Sequence, residues 1–504
     1  MKEELSPIRF GTDGWRAVIA EDFTFANLER VAQAYADYLL QRNETKEDSL
    51  LEQLIAVGQI SKDEAESNLF RNVILKAQPS PLVVVGFDRR FLSEKFAERT
   101  AEILAGNGLR VALFEKDVPT PVVSWAVKLN KASGGVVITA SHNPPTFNGF
   151  KIKAPWGGSA SPEITSAVEA LIDKNISRRK PSTSDERELL QSSIDSYRAQ
   201  VSSYIDLDRI RRSRLKVVID PMHGTGGRWV ESFLEGRDLR VETIRAERDT
   251  LFGGVNPEPI DRNLAALKTR IRETGASLGL ATDGDADRVG AVNERAETMT
   301  MHEVVPLILL HLARARKMKG EVVRTFSQSV LTKRIASAHN LPLHDTPIGF
   351  KYIADLMLRD DILIGAEESG GIGVKGHIPE RDGILNSLLL LEAVVTAGKP
   401  PSEIVKAMHR EFGEFYFNRR DLHCEVERGK NLVSILASSP PVKVAGYAVR
   451  DVETLDGTKL LFEDESWLLF RQSGTEPVLR IYSEATSTAK TAALLDEGER
   501  IVIR

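Results

Sequence analysis

The 504-residue chain contains a single cysteine, Cys424. An intrachain disulfide is therefore impossible, which suits a reducing compartment such as the cytoplasm. Long apolar runs are missing as well, because the longest, at 304–310 and 388–395, are too short to cross a bilayer and predict buried helix faces. The N-terminal residues contain no apolar signal core. We therefore expect a cytoplasmic protein without a membrane role.

A large excess of charge of either sign is also absent. Lys and Arg number 67 against 72 Asp and Glu, which gives a net charge of −5 and a pI of about 6.1. We therefore expect neither a nucleic acid nor an anionic membrane as the main partner. A local basic pocket for a small anion is compatible with this net charge. The apolar fraction of 42% and the charged fraction of 28% are those of ordinary globular proteins. The length predicts three or four domains.

Alternating strand and helix patterns predict three α/β units followed by a smaller, strand-rich α+β unit. In the first unit, apolar runs at 81–88 and 109–116 flank a segment with helical spacing, and this βαβ pattern predicts a parallel sheet. The charged segment 41–80 is expected to be a helical excursion from that sheet. In the last unit, strands are predicted at 422–427, 465–474 and 478–484, before a final helix. The predicted domains are 1–211, 212–301, 302–415 and 416–504.

The strongest local signal is the loop inside LGLATDGDADRVGAV, residues 278–292. Asp283, Asp285 and Asp287 stand at alternate positions between two apolar runs of β type. Three carboxylates this close repel one another, and a hard divalent cation such as Mg²⁺ or Ca²⁺ would remove that cost. An EF-hand is disfavoured because Arg288 stands where its glycine belongs and because strands, not helices, flank the loop. The remaining alternative is a solvated acidic turn.

A second loop, ITASHNPPTFNGFK at 138–151, presents Ser141 beside His142 after an apolar strand pattern. Pro144 and Pro145 stiffen this loop. A Ser-His hydrolase would need the G-x-S-x-G nucleophile elbow, which T-A-S-H-N lacks. The other functional interpretation is a serine that carries phosphate and gives a metal a further anionic oxygen. An ordinary turn or helix-capping serine is the alternative.

Two further loops suit a phosphorylated sugar. In RQSGTEP, Arg471 begins a loop whose guanidinium, hydroxyl and backbone N–H donors match a dianionic phosphate, although a polar hairpin turn is the alternative. In GAEESGGIG, Glu367 and Ser369 offer the acceptor and the donor-acceptor that neighbouring sugar hydroxyls need, although a flexible polar loop would look the same. A further polar segment, KGHIPERDG at 375–383, follows this loop closely. Near the N-terminus, the segment FGTDGWR at 10–16 adds a Gly-rich turn beside Arg16.

The four loops, in this order, resemble those of the α-D-phosphohexomutase superfamily, the phosphoglucomutases and phosphomannomutases. The resemblance covers essentially the whole chain and rests on TASHNPPxxNGxK, DGDADR, EESGG and SGTEP. It implies four domains in a heart shape around a central cleft, of which three are related α/β domains with mixed or parallel sheets and the last is α+β. It also implies a monomer or a homodimer.

The resemblance assigns roles to residues of all four loops. Ser141 would be phosphorylated and, together with Asp283, Asp285 and Asp287, would hold one Mg²⁺. The other catalytic residues implied are His142, Lys151, Arg288 and Arg16. The sugar-binding residues implied are Glu367, Ser369, Gly349, His377 and Arg381. The phosphate-binding residues implied are Arg471, Ser473, Gly474, Thr475 and Arg480.

The reaction implied is that of an isomerase, an intramolecular phosphotransferase acting on a hexose phosphate. Glucose 1-phosphate and glucose 6-phosphate would interconvert through a hexose 1,6-bisphosphate, and glucose 1,6-bisphosphate would act as activator. Relatives that accept mannose as well often read GEMSGH, where this chain has Ala366, Glu368 and Gly371, so His377 or Arg381 is expected to replace the missing histidine. Aminosugar mutases usually read EQSGH.

These differences favour a phosphoglucomutase. A phosphomannomutase or a dual-specificity phosphohexomutase is the alternative of the same class. A metal-dependent sugar phosphatase and a catalytically silent sugar-phosphate binder are the alternatives of other classes. A phosphatase would have little use for the loop that begins at Arg471 or for a phosphorylated Ser141.

Overall fold

A computed structural model describes residues 7–11, 13–56, 80–182, 185–236, 238–473 and 477–503. The chain divides into two compact units. The first consists of Met1–Ala199 and Arg248–Asn256, and the second consists of Gln200–Glu247 and Pro257–Arg504. Among the described residues, no helix combines the length and the apolarity that crossing a membrane requires.

The first unit is built on a five-stranded mixed sheet. Its elements are β1 Trp15–Val18, α1 Phe25–Ala56, β2 Leu82–Phe87, α2 Ser93–Gly106, β3 Arg110–Leu113, α3 Thr120–Leu129, β4 Gly134–Ile138, β5 Phe147–Lys153, α4 Pro162–Leu171 and α5 Arg187–Tyr204. The strand order is β1-β5-β4-β2-β3. The predicted parallel pairing of β2 with β3 is confirmed, and β5 runs antiparallel to β4 and β1. β2 and β4 are buried at every residue, which explains their unbroken apolar sequences.

Helix α1 explains part of the charged segment 41–80. Its first half packs in the core of the first unit, where Leu28, Val31 and Tyr35 are buried. Residues 41–56 continue the same helix. The predicted excursion therefore begins as an extension of a core helix, and its remainder at 57–79 lies outside the described residues.

The second sheet has five strands and the third has four. Elements of the second sheet and its surroundings are α6 Leu207–Arg211, β6 Lys216–Asp220, α7 Trp229–Leu234, β7 Arg240–Thr243, α8 Ala265–Thr274, β8 Leu278–Thr282, β9 Val289–Asn293 and β10 Thr298–Met299. Those of the third are α9 Met301–Leu310, β11 Glu321–Thr325, α10 Val330–Ala338, β12 Leu343–Thr346, α11 Phe350–Arg359, β13 Ile362–Ala366, β14 Ile372–Val374, α12 Gly383–Ala397 and α13 Pro401–Phe412. The strand orders are β10-β9-β8-β6-β7 and β12-β11-β13-β14.

The three α/β sheets share one topology. In each, a first strand lies between a second and a third that run parallel to it, and a fourth strand returns antiparallel to the third. The connection from the third to the fourth strand therefore leaves the carboxyl end of a parallel strand, where open α/β sheets bind ligands. That connection holds the serine loop at 139–146, the aspartate loop at 283–288 and the sugar loop at 367–371.

The C-terminal region is a six-stranded antiparallel sheet with the order β15-β20-β19-β18-β17-β16. Its elements are β15 Tyr416–His423, α14 Val426–Ser438, β16 Lys443–Val444, β17 Tyr447–Glu453, β18 Thr458–Phe462, β19 Trp467–Gln472, β20 Val478–Ala485 and α15 Thr488–Ile503. The strand predicted at 422–427 is wrong, because β15 ends at His423 and a helix begins at Val426. Apolar and acidic residues alternate at 424–427, which is the pattern of a half-buried strand. The true strand β15 is half exposed and polar, so its sequence lacks that pattern.

A buried carboxylate connects this sheet to two helices of the third. Glu484 on β20 accepts a hydrogen bond from Trp467 Nε1 (3.0 Å), and its other oxygen lies 3.0 Å from His302 Nδ1 in the first turn of α9. Ser329 and the N–H of Val330, at the start of α10, also donate to it. Burial raises the pKa of Glu484, but His302 and these donors lower it to about 2.

We predict that Glu484→Gln lowers the apparent free energy of unfolding of the second unit by about 3 kcal/mol at pH 7, because it leaves the buried partners uncompensated. The folded pKa of about 2 lies below the ordinary value of 4.5. The contribution of the carboxylate is therefore complete above about pH 5 and is lost as the pH falls toward 2. Urea unfolding at pH 7 and pH 4 measures the difference between the wild type and the variant, which should be smaller at pH 4.

The exposed Glu463, just after the end of β18, provides the matched control. Glu463→Gln should change the unfolding midpoint little at either pH. An equal loss in both variants, or a deficit of Glu484→Gln that does not depend on pH, would contradict the role given to the buried carboxylate.

Candidate active site

The aspartate loop forms a compact cluster of buried acids. Ligand atoms of Asp283, Asp285 and Asp287 all lie within 4.8 Å of one another, and all three residues are fully buried. The N–H groups of Asp287 and Arg288 donate to Asp283 Oδ1 at 3.0 and 3.1 Å, which fixes the turn. Three buried carboxylate oxygens are the donor set of a hard divalent cation, so the residues fit Mg²⁺.

The aspartate loop and the sugar loop are joined through their backbones. The N–H of Val289 donates to the carbonyl of Gly370 (3.1 Å), and Arg288 and Gly371 form an isolated β-bridge. Gly370 has a φ of 94°, and a Cβ there would lie 2.6 Å from the carbonyl oxygen of Val289. Glycine is therefore required for this approach. Two loops that are about 80 residues apart in the sequence form one continuous surface.

Arg381 lies between these two loops. Its Nη2 is 2.9 Å from Asp287 Oδ2, and its Nη1 is 3.7 Å from Glu367 Oε2. Burial raises the pKa of Glu367 to about 7, although the charges of Arg381 and Arg288 oppose this rise. Ser369 is half buried on the same loop. The structure therefore brings the metal-site candidate Asp287 together with the sugar-site candidates Arg381 and Glu367.

The space beside Gly371, where some relatives are expected to have a histidine, is filled by Arg381. A Cβ at Gly371 would lie 2.8 Å from Glu367 Oε2 and closer still to the side chain of Arg381. Arg381 therefore occupies the space that a side chain at 371 would need, and its role in place of the histidine stays a prediction. His377 is 2.9 Å from Asp382 Oδ2, with only 1% of its side chain exposed, and Asp382 accepts hydrogen bonds at the start of α12. His377 thus has a structural partner, and its role toward the sugar stays a prediction.

The predicted phosphate loop begins on paired strands of the C-terminal sheet. Arg471 on β19 lies directly opposite Arg480 on β20, so the two side chains share one face of the sheet. Ser473 closes the hairpin with an N–H bond to the carbonyl of Val478 (2.9 Å). Two like charges side by side attract a dianion. Gly474 and Thr475 lie outside the described residues.

Asp456 is a residue of this region that the sequence did not reveal. It accepts hydrogen bonds from Arg471 Nε (2.9 Å) and from the N–H of Ile348 (2.8 Å). Gly349 follows Ile348 at the start of α11 and has a φ of 138°. Asp456 therefore connects the predicted phosphate loop to the segment that contains Gly349. The signal available in the sequence was the Asp-Gly turn of the β17–β18 hairpin.

The serine loop belongs to the first unit. Ser141 is buried and has a φ of 52°, which is uncommon for a residue other than glycine. Its Oγ lies 3.3 Å from His142 Nδ1. Backbone conformations of this kind recur at functional sites.

Two predicted catalytic cations lie next to the serine loop. Arg16 Nη1 donates to Asn143 Oδ1 (2.7 Å), and the fully buried Lys151 has its Nζ 2.9 Å from Asp13 Oδ2. Asp13 was not predicted. The turn at Gly14 positions it, since a Cβ at Gly14 would lie 2.8 Å from the carbonyl oxygen of Phe150. The G-T-D-G sequence, which was interpreted only as a turn, was the signal for it.

Four parts of the chain match models of known protein domains. Models of the phosphoglucomutase/phosphomannomutase α/β/α domains I, II and III match residues 64–179, 195–296 and 301–412, and the model of the C-terminal domain matches 422–500. The chain belongs to the phosphoglucomutase/phosphomannomutase family. The predicted superfamily and the fold class of three α/β domains with mixed sheets and a further C-terminal domain are confirmed. The predicted boundaries at 211, 301 and 415 stay predictions.

Individual relatives cover most of the chain. A phosphoglucomutase/phosphomannomutase of Thermococcus kodakarensis is 32% identical over 84% of this chain and 90% of its own length. A protein of Methanothermobacter thermautotrophicus named as a phosphoglucosamine mutase is 30% identical over 81% and 87%. A crystal structure from Thermus thermophilus, named as that of a phosphomannomutase, is 37% identical, with a TM-score of 0.80 and coverage of 99% and 100%. The chain is thus an isomerase of the phosphohexomutase type.

We predict that Mg²⁺ stabilises the wild type and does not stabilise Asp285→Asn. At a concentration 100 times its Kd, a ligand that binds only the folded chain contributes about 2.7 kcal/mol. In EDTA the order should reverse, because the variant contains one fewer buried like charge. Thermal unfolding in EDTA and in a Mg²⁺ series measures both effects without turnover.

The exposed Asp238, before β7, provides the matched control, and Asp238→Asn should respond to Mg²⁺ as the wild type does. An equal Mg²⁺ response in Asp285→Asn would remove the aspartate loop from metal binding.

Proposed function

We propose that the chain is a phosphoglucomutase, which interconverts glucose 1-phosphate and glucose 6-phosphate through a phosphorylated Ser141 and a hexose 1,6-bisphosphate. The observation that carries this proposal is the position of the Arg381 side chain. It fills the space beside Gly371, where relatives that also accept mannose often have a histidine, and it contacts both Glu367 and Asp287.

In the proposed reaction, a hydroxyl oxygen of the sugar attacks the phosphorus of phosphorylated Ser141. The bond from phosphorus to Ser141 Oγ breaks, and the proton of the sugar hydroxyl passes to a base of the site. His142 Nδ1, 3.3 Å from Oγ, is suited to protonate the departing serine oxygen. Mg²⁺, when bound, neutralises charge that develops on the transferred group. Arg288 and Lys151 contribute fixed positive charge, and Asp13 holds the latter in place.

The rest of the substrate is bound by the other two loops. Glu367 and Ser369 accept and donate hydrogen bonds to neighbouring hydroxyls of the sugar, while Arg471 and Arg480 bind the distal phosphate together with Ser473. The intermediate then turns end over end, so that its other phosphate returns to Ser141. Because both ends of the bisphosphate are dianions, one basic loop serves both orientations. Glucose 1,6-bisphosphate would then phosphorylate again any Ser141 that has lost its phosphate.

Other substrates are the competing proposals. The relatives named above include proteins called phosphomannomutase and phosphoglucosamine mutase, so a dual-specificity phosphohexomutase is the second candidate. The sequence E-E-S-G-G at 367–371, in place of E-Q-S-G-H, argues against an aminosugar. A sugar phosphatase would have little use for the loop that begins at Arg471 or for a phosphorylated Ser141. Cytoplasmic location, the monomer or homodimer, and the lack of a nucleic-acid partner stay predictions from the sequence.

A coupled assay with Mg²⁺ and a trace of glucose 1,6-bisphosphate tests the substrate. Glucose 1-phosphate, mannose 1-phosphate and glucosamine 1-phosphate are compared side by side at equal concentration. We expect a strong preference for the first. Comparable rates with mannose 1-phosphate would replace the proposal with dual specificity, and turnover of the aminosugar alone would overturn it.

We predict that Ser141→Ala lowers kcat by about 10⁴-fold or more, because it removes the group that carries the phosphate. The variant should fold normally and should lack the phosphoserine resonance in its ³¹P spectrum. Ser161→Ala is the matched control, since the hydroxyl of Ser161 makes no capping bond to α4. An active Ser141→Ala enzyme would refute the phosphoserine route.

We predict that Arg471→Ala raises KM about 10- to 100-fold for every hexose phosphate, the equivalent of one lost hydrogen bond to a charged group. kcat should change less, because the phosphate is bound in the ground state and in the transition state alike. Arg420→Ala is the control, since Arg420 on β15 pairs with Asp496 and Glu499 of α15. Kinetics unchanged by Arg471→Ala would remove this loop from the substrate site.

A further inference from the structure

A single fully buried guanidinium organises the backbone of the serine loop. Arg90 Nη2 donates to the carbonyls of Ser141 and Asn143, both at 2.7 Å. Its Nη1 donates to the carbonyls of Pro144 (2.7 Å) and Phe147 (3.0 Å). Three carbonyl groups of the serine loop and that of Phe147 at the start of β5 thus converge on one side chain, which is 0% exposed.

The sequence of the loop explains why such a group is needed. Pro144 and Pro145 have no N–H, so the loop cannot satisfy its carbonyls through a regular backbone ladder. Arginine presents its donors in a rigid planar fork, which lysine cannot imitate. In a trans peptide the carbonyl and the N–H point in opposite directions. The N–H of His142 is therefore directed away from Arg90, on the opposite side of the loop.

Asp88 holds the N–H of Ser141 indirectly, through the hydroxyl of Thr139. Asp88 pairs with Arg90 Nε (3.1 Å) and accepts a hydrogen bond from Thr139 Oγ1 (2.6 Å). Because this hydroxyl donates its proton to Asp88, it accepts the N–H of Ser141 (2.9 Å). The N–H and the carbonyl of Ser141 are thus both held by the same buried ion pair. These two contacts define the left-handed conformation of Ser141.

A segment distant in sequence covers the pair. Residues Arg248–Asn256 follow β7 in the chain but belong to the first compact unit. The ring of the fully buried Phe252 lies 5.1 Å from Arg90 Cζ, and Arg248 Nη2 donates to the carbonyl of Arg90 (3.2 Å) and to Glu94 (2.7 Å). Exclusion of water strengthens the contacts that Arg90 makes beneath this segment.

We propose that Arg90, paired with Asp88, is a positioning residue that holds Ser141 in the left-handed conformation from which its Oγ takes and gives the phosphoryl group. The proposal rests on the proposed function of Ser141. Arg90 acts on the reaction through the loop backbone and not through the substrate, so its loss misplaces the serine while the binding of the sugar and of its distal phosphate is kept. The expected signature is a fall in kcat with little change in KM.

Arg90→Lys tests the proposal, because lysine keeps the charge beside Asp88 but cannot span four carbonyls. We expect kcat to fall about 100-fold, as for a misplacement of about 1 Å, while KM stays within about threefold. Amide hydrogen exchange of residues 139–148 should rise at least tenfold, since the carbonyl anchors are lost. Arg89→Lys is the matched control, because the neighbouring Arg89 pairs with Asp117 (2.7 Å) and should leave both readouts unchanged.

A second variant keeps the test decisive if Arg90→Lys does not fold. Thr139→Val leaves the Arg90–Asp88 pair intact and removes only the hydroxyl that connects Asp88 to the N–H of Ser141. We expect a kcat at least tenfold lower at an unchanged KM, and Thr139→Ser should restore most of it. Wild-type kcat and wild-type exchange of the loop in folded Thr139→Val or Arg90→Lys would overturn the positioning role.

The two proposals fail in different ways. A wild-type enzyme without phosphate at Ser141, together with an active Ser141→Ala variant, would overturn the proposed function. The exchange measurement needs no turnover, so it decides whether Arg90 orders the loop in either case. Phosphorylated enzyme whose kcat and loop exchange do not respond to Arg90→Lys or Thr139→Val would overturn only the role of Arg90.

Discussion

The structure depends on ion pairs and hydrogen bonds that compensate the charged groups and the carbonyl groups buried in its loops. An uncompensated buried charge costs several kcal/mol, so each loop is held by a partner of opposite sign or by donors in fixed geometry. In the first unit the partner is the Arg90–Asp88 pair, around which the serine loop folds. In the second unit Arg381 approaches both Asp287 and Glu367. These contacts hold the loops that carry the candidate reactive groups.

One topology, used three times, explains how such loops arose at equivalent places. The connection between the third and fourth strands leaves a parallel strand at its carboxyl end and returns as an antiparallel neighbour. Its two ends are fixed by the sheet, so its sequence can change without loss of the strands. In this chain the three copies carry a serine, an aspartate cluster and a glutamate-serine pair. The proposed division into phosphoryl, metal and sugar functions therefore corresponds to one connection with three side-chain sets.

The sequence predicted the groups whose chemistry is local, and it missed those that act across the fold. Asp283, Asp285 and Asp287 were recognisable because alternate positions in one short loop bring three carboxylates together. Arg90 contacts carbonyls 51 to 57 residues away, and nothing in the apolar run beside it predicts that contact. Asp456 likewise contacts Ile348 across 108 residues. Helix α14 was missed because a short alternating pattern at its start outweighed the helical spacing that follows.

In the proposed function, the contacts of Arg381 would limit how the sugar preference of this chain can change. Arg381 occupies the space that a side chain at position 371 would need, and the same guanidinium is 2.9 Å from a carboxylate of the aspartate loop. The backbone bond from Val289 to Gly370 holds the two loops together, so a separation that made room would cost this bond. A histidine at 371 would therefore displace Arg381 and leave Asp287 without this cation. In the proposed function, substrate preference and metal binding would thus be coupled through one side chain, and a change of sugar would require compensation at 381 and not a single substitution at 371.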